Sequence, residues 1–466
     1  MPSDARPAHP SYRSDASTPG PPDDERGETI VRVLDDAFAP MMESSPAGFR
    51  TRFRKMARDP FAFYRGSAAL FYDDLAHLSA GVDDDWVDEG TSRIWLQGDL
   101  HAENFGTHLD ADGRLVFDVN DFDEAYLGHW TWDLRRFTAS LALLSWQKAL
   151  PDEAIDDLVG GYVRAYLDQV DRYRTSPEAD RWALTLDNAD GPVLRSLQSA
   201  KLASRHRFLD ARTTVEDHRR RFTERSGVRL LDDEERERVV EAFGAYRETL
   251  REGLRGHRPT LEVLDVVGRS GFGIGSAGLP AYTVLVEGRS QAVDDDLLLS
   301  VKQGDVACPS RVVEDERVAR AFEHHCHRTA LSQRALQTDA APLVGWTRLP
   351  GTGDRVHGFV VTEVSPHEAD LDWDDVDEPD EMRGLVDALG RATAKIHCAG
   401  GGDPAGELVG VVVEDEVSRV VDGRVDALVD HLVDWAHACS ARTRADHRLF
   451  VDAFRSGAWE RVAPTS

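Results

Sequence analysis

GDLHAENFG at residues 98–106, VFDVNDFDEA at 116–125 and WDLRR at 132–136 are the stretches on which the reading of this chain turns. The apolar run RIWLQ (93–97) stops at Gly98, and RLVFDV (114–119) follows the turn signal of Asp112 and Gly113, so two short strands are expected to frame the first motif. Asp99, Asn104 and Asp121 then fall on two loops at strand ends, where a scaffold can present side chains into a cleft. Phosphoryl transfer from ATP needs Mg2+ held by hard oxygen ligands and a carboxylate that orients the attacking hydroxyl. Asp99 suits the catalytic carboxylate, and Asn104 and Asp121 suit the metal ligands. Any one of the three alone reads as a turn former. Together, in this order and with WDL downstream, they read as a site. Asp133 of that WDL is expected to bond the loop backbone, while His101, Glu103 and Asp123 read either as supporting or substrate groups or as solvated loop residues.

A second cluster begins where the composition changes, at Leu261. LEVLDVV (261–267) leads into GFGIGSAG (271–278), then AYTVLVEG (281–288) and LLLSVKQG (297–304), three strands in a meander. The glycines match GxGxxG at Gly273, Gly275 and Gly278, but a dinucleotide fold would open a helix at the third glycine, and here Pro280 and a strand follow. No Lys with Ser or Thr closes the run, so a Walker loop is excluded as well. A glycine-rich hairpin over phosphates, followed by a strand carrying Lys302, is the kinase arrangement. Lys302 is one of five lysines in the chain, and a compact ammonium suits the α and β phosphates. RVVEDER (311–317) opens a helical pattern that runs to Gln337. Its Glu314 is the candidate partner of Lys302, with Glu316 the alternative one register step away. The competing reading of Lys302 is an exposed charge on an edge strand.

GDLHAEN, DFDEA and WDL resemble the catalytic loop, metal aspartate and structural aspartate of the aminoglycoside and choline kinase branch of the protein-kinase-like fold. PFAFYRG (60–66), GDLHAENFG, DVNDFDEAYLG, SVKQG and RVVEDER together resemble the domain of unknown function 2252 family, over roughly residues 45–460. The resemblance implies an α+β, two-lobed protein-kinase-like fold with a mostly helical large lobe and a small antiparallel-sheet lobe. The usual kinase chain runs glycine loop, lysine, helix, hinge, catalytic loop. Read from Gly268, this chain gives the glycine loop, Lys302, Glu314, a hinge-like strand through Glu363 and Val364, and then the helix GLVDALGRATAKIH (384–397). The catalytic loop lies upstream of all of these, so the fold is expected to be circularly permuted, which chains tolerate when the cut falls in an exposed connection. One departure is Gln97, where most kinase-like loops carry His two residues before the catalytic Asp, so the loop's support must come from elsewhere.

The remaining organisation follows from composition. Residues 1–27, rich in Pro, Ser, Asp and Gly, are expected to form a disordered tail, and 28–92 a helical segment. Residues 93–260 carry the catalytic-loop part of the large lobe, with helices across 193–256; 261–371 form the nucleotide-binding lobe, and 372–466 complete the large lobe, the acidic DLDWDDVDEPDE leading into helices from Met382. A net charge of −29 argues against a nucleic-acid partner. Without a long apolar run or a secretory leader, a soluble, cytoplasmic chain is expected. The four cysteines have neither disulfide nor zinc spacing, and the HHCH run at 324–327 lies in a helical pattern where adjacent residues diverge. Arg65 of PFAFYRG reads either as a phosphate or substrate contact or as half of a buried ion pair. The function expected is an ATP- and Mg2+-dependent phosphotransferase acting on a hydroxyl of a small molecule, less readily of a protein. The alternatives are a nucleotide-binding pseudokinase that serves as an interaction module, and a nucleotidyl transferase.

Overall fold

Amphipathic spacing builds the first part of the chain into four helices, α1 (Asp23–Ser44), α2 (Pro46–Met56), α3 (Pro60–Gly66) and α4 (Ala68–His77). Ile30, Leu34, Met42, Phe49 and Phe53 are closed to solvent on their inner faces. The structure, a computed structural model, describes residues 23–77, 85–176, 181–224, 227–251, 259–269, 279–337, 339–350, 356–398 and 406–462. The expected tail ends earlier than residue 27, because α1 opens at Asp23, where Asp23, Asp24 and Glu25 complement the helix's positive end. Residues 1–22, and Gly273, Gly275 and Gly278, lie outside the described residues.

The first motif is carried by β1 (Ile94–Leu96), β2 (Phe105–Leu109), β3 (Leu115–Val119) and β4 (Tyr126–Gly128). β2 and β3 form a hairpin, while β1 pairs with β4 so that Leu96 faces Tyr126. α5 (Thr131–Gln147) follows, buried on nearly every side, then α6 (Asp152–Thr175), α7 (Gly191–Leu202) and α8 (Arg205–Asp210). The helices expected across 193–256 are interrupted by a second hairpin, β5 (Thr213–Glu216) and β6 (Arg219–Phe222). Thr213, Thr214 and Val215 favour a pleated strand. Asp217 and His218 adopt φ of 49° and 65°, as a two-residue turn requires. Arg220 turns inward, 2.7 Å from Asp210.

β7 (Val228–Arg229), α9 (Asp233–Tyr246), β8 (Val263–Arg269), β9 (Ala281–Val286), β10 (Leu297–Gln303), α10 (Glu316–Ala321), α11 (His325–Leu336), β11 (Gly345–Pro350) and β12 (Val356–Glu363) form a sheet layer. Its six strands are antiparallel in the order β11-β12-β10-β9-β8-β7. Lys302 therefore sits on an inner strand, between Ala281 and Val360, rather than on an edge. α9 covers one face, with Val239, Phe243 and Tyr246 packed on Val284, Leu299 and Val361. This core starts upstream of Leu261. α11 covers the other face, with Cys326 and Ala330 against Val344 and Val360.

β13 (Ala369–Asp370) then returns to β2, and α12 (Pro379–Cys398), α13 (Gly406–Val409), α14 (Val413–Val421) and α15 (Val425–Ser456) close the helical core. The chain is thus α+β, predominantly helical with small antiparallel sheets. No helix among the described residues is long and apolar enough to cross a membrane.

One buried ionic cluster ties the two ends of the helical body. Arg26 of α1 donates to both oxygens of Asp74 on α4, each at 2.7 Å, and to both oxygens of Asp446 on α15 at 2.9 and 2.7 Å. Arg26→Ala strands two carboxylates away from water, so a loss of about 3–5 kcal/mol is expected in urea unfolding followed by tryptophan fluorescence. A loss under about 1 kcal/mol, the range of a surface pair, would show that the cluster does not hold the helices together.

Candidate active site

The two motif loops are set side by side by the β1 to β4 pairing and then locked by two buried side chains. Asp133, in the first turn of α5, is fully buried and accepts the Gln97 N–H at 2.7 Å and the Gly98 N–H at 2.9 Å. Its Oδ2 also lies 3.2 Å from His397 Nε2 of α12. The Gln97 Nε2 donates to the carbonyls of Asn120 and Asp121 at 3.1 and 2.5 Å, while its Oε1 accepts the Asp99 N–H at 2.8 Å. One amide therefore supports both loops. Gly98 stands at φ 85°, and a Cβ there would lie 2.1 Å from the Glu124 carbonyl oxygen, so only glycine allows the loops to approach this closely.

Asp99 is anchored from below. Arg136, one turn beyond Asp133 on α5 and fully buried, donates to Asp99 Oδ1 from Nε at 2.8 Å and from a terminal nitrogen at 2.6 Å. The guanidinium is fixed in turn by the Tyr64 carbonyl at 2.8 Å and by the Tyr64 ring, 4.0 Å from its centroid. Both bonds go to Oδ1. Burial raises the Asp99 carboxyl above its ordinary range, against the pull of Arg136, Arg65 and Arg52. Asn104 donates from Nδ2 to the Asp99 carbonyl at 2.9 Å, which leaves its Oδ1 as an acceptor for a cation. Asp121 adopts φ 55°, a left-handed conformation that Asp tolerates better than most residues.

Lys302 meets these residues from the sheet layer. Its Nζ bonds the Asp123 carboxylate, and Asn104, Asp121, Asp123, Lys302, Thr329 and Glu363 are among the residues lining one cleft of about 430 Å³. Asp99 is not among them; its carboxylate lies beneath, 16% exposed. Desolvation in the cleft, and then the neighbouring Asp123, push Asp121 up to about 6 against the pull of Lys302, although the residue's outer surface is open to solvent. Burial works to lower the Lys302 ammonium, but Asp123 and Asp121 hold it above its ordinary value. The donors around the gap are hard oxygens, the set that Mg2+ or Ca2+ prefers over softer metals.

Other sequence candidates fall in different places. Glu314 does not partner Lys302, because the expected continuous helix over 311–337 is broken. Residues 308–311 form a tight 3-10 turn, Glu314 lies exposed in coil, and α10 begins only after Asp315 caps it. Glu316 pairs with Arg320 on the surface at 2.5 Å. Glu363 lines the cleft and pairs with Arg205 at 3.0 Å. Val364 does not line it, since its N–H is spent on the Leu298 carbonyl at 2.8 Å and its side chain packs with Leu209, Leu285 and Leu298. Arg65 and Glu103 form an ion pair at the mouth. His101 is buried beside Phe61, and burial holds it well below its usual pKa, hence neutral. In the HHCH run, His324 caps α11, His327 lies against Trp346 and Cys326 accepts the Gly304 N–H.

Sequence reasoning missed the helix face that does meet the cleft. Thr329 and Gln333 of α11 and Gln337 at its C-cap recur at four-residue spacing, a polar stripe visible within the helical pattern. Arg136 was also legible, three residues after Asp133 and so on the same face of its helix.

Fold and site together define a class: an α+β protein whose helical body and sheet layer enclose an acidic cleft bearing a single lysine. The chain belongs to the DUF2252 family, described as an uncharacterized protein conserved in bacteria, whose family model matches residues 45–453. No curated protein and no solved structure matches the chain.

Glu124, in the 121–125 loop, accepts the Cys308 N–H at 2.5 Å and is pushed up to about 7, mainly by burial. A carboxyl whose folded pKa is raised favours folding below its unfolded value and loses that contribution as pH climbs to the folded value. Glu124→Gln keeps the acceptor without the charge. Its melting temperature should match wild type near pH 4 and exceed it progressively up to about pH 7, then hold a constant gain. A pH-independent difference in thermal melts would mean that Glu124 is not the titrating group.

Proposed function

We propose that the chain is an ATP- and Mg2+-dependent phosphotransferase acting on a hydroxyl of a small-molecule acceptor, on a circularly permuted protein-kinase-like fold. The observation that carries this reading is the contact between Lys302 and Asp123, which are 179 residues apart in the chain, beside Asp121 and Asn104 in one cleft of nucleotide size. In this reading Asn104 and Asp121 hold Mg2+, which supplies charge neutralisation for the phosphates. Lys302 neutralises the phosphates from the sheet side, and Glu363 borders the nucleotide at the connection between lobes.

Asp99 orients the acceptor hydroxyl and takes its proton. The arrangement favours this, because Arg136 fixes Oδ1 and no protein group among the described residues bonds Oδ2. Arg136 acts as a positioning residue, and Gln97 with Asp133 keeps the base and the metal loop in fixed relation. The permuted order is supported by α12, whose last turns reach the first motif: Lys395 pairs with Asp118 and His397 approaches Asp133. In the usual kinase order that helix would lead directly into the catalytic strand.

ATP with Mg2+ is expected to raise the melting temperature, and Asp121→Ala should remove the Mg2+-dependent part of that gain. Asp99→Ala should bind nucleotide like wild type and lose about 10²–10⁴-fold in ATP consumption across a panel of hydroxyl acceptors. Binding without consumption in wild type would identify a pseudokinase, and transfer of the α-phosphate label a nucleotidyl transferase. Absence of any nucleotide-dependent stabilisation would sink the reading.

A further inference from the structure

α11 lies over the sheet beside Lys302, yet its twelve residues, HCHRTALSQRAL, contain no Asp or Glu. The ion pair that would couple this helix to the lysine strand is therefore missing. Arg328 of α11 makes a different connection. It is 2% exposed, and its terminal nitrogens donate to the carbonyls of Asp123 at 2.7 Å, Ala125 at 2.9 Å and Asp305 at 3.2 Å. The same Asp123 holds Lys302 through its carboxylate. Asp123 is thus held twice, by the lysine strand through its side chain and by α11 through its carbonyl, and the same Arg328 also takes the Asp305 carbonyl after β10.

Such an arrangement is costly for a purely structural tie. No carboxylate among the described residues bonds Arg328, and its Nε has no partner. Burial lowers its pKa, with Glu124 and Asp123 only partly opposing. A buried guanidinium satisfied by carbonyls gains geometric precision, since its planar fork fixes two acceptors in one plane. The two here, Asp123 and Ala125, bracket the segment just after Asp121.

Resting on the phosphotransferase reading, we infer that Arg328 is a positioning residue that sets the metal loop: the placement of α11 fixes Asp121 through the carbonyls of Asp123 and Ala125, so cation affinity depends on α11. It touches neither metal nor nucleotide. Movement of α11 would shift the loop and the lysine together, because both are fastened to Asp123.

The experiment compares wild type, Arg328→Lys and Arg328→Met. Arg328→Lys keeps the charge but loses the fork. In calorimetric titrations of ATP at varied Mg2+, both variants should bind metal-free ATP within about twofold of wild type. Their half-saturating Mg2+ should rise about 10–100-fold, the usual cost of losing a group that orients a metal ligand. Hydrogen exchange of residues 121–125 should accelerate in Arg328→Lys with no ligand added, a readout that also serves if Arg328→Met does not fold. An unchanged Mg2+ requirement or unchanged exchange in folded Arg328→Lys overturns the inference. Wild type that binds no ATP at any Mg2+ concentration overturns the nucleotide reading instead, and the exchange result then decides Arg328's hold on the loop by itself.

Discussion

A fully buried carboxylate, Asp133, is the constraint from which the site's geometry follows. A charge removed from water must be matched by donors or it destabilises the fold severely. Asp133 obtains them from consecutive backbone amides, those of Gln97 and Gly98. Two adjacent N–H groups can point at one carboxylate only if the backbone bends, and Gly98 at φ 85° provides the bend. The bend turns the chain after β1 toward the 121–125 loop, and the Gln97 side chain then closes the gap to Asn120 and Asp121. The relation between Asp99 and Asp121 thus follows from satisfying one buried charge.

Electrostatics explain why the cleft keeps its lysine. Asp121 and Asp123 stand two residues apart on one loop, and desolvation in the cleft, followed by repulsion from Asp123, raises Asp121 to about 6. Lys302 relieves that repulsion, and in return the carboxylates hold its ammonium charged despite burial. A divalent cation would relieve it further. Under the proposed reading, a divalent cation arriving with the nucleotide would offset the acidity of the whole chain, −29, at this cleft.

Much of this was written locally and so could be read from the sequence. The strands at 94–96 and 115–119, the placement of Asp99, Asn104 and Asp121 at strand ends, the backbone role of Asp133 and the meander with Lys302 all depend on short-range patterns of turn residues and alternation, whereas β2, which pairs with β3, was not read. What escaped was set at long range or by competition. The helix over 311–337 has apolar periodicity throughout, but Asp315 and His324 both cap, and two capped starts within one period break it into separate helices. That break removed Glu314 from the cleft and brought α11 to it. The hairpin at 213–222 was hidden by its arginines, since charge density reads as an exposed helix until Arg220 is seen buried beside Asp210. Val364 reads, with Glu363, as part of a hinge-like strand, and only the pairing of the folded sheet shows that Leu298 takes its N–H.

Long-range ties also join segments that lie far apart in the chain around the site. β13 returns the chain from the sheet layer to β2, with Thr107 Oγ1 donating to the His367 carbonyl at 2.8 Å and Leu371 N–H to Phe105 at 2.8 Å. α12 then delivers Lys395 to Asp118 and His397 to the Asp133 carboxylate. These contacts hold the end of α12 against β3 and the first turn of α5, the elements on either side of the 121–125 loop. Once tertiary contacts fix both ends, the connection between them contributes mainly loop-closure entropy, which grows only slowly with length. Under the permuted reading proposed above, these buried, charge-assisted contacts would do the work of the peptide link between α12 and the catalytic strand.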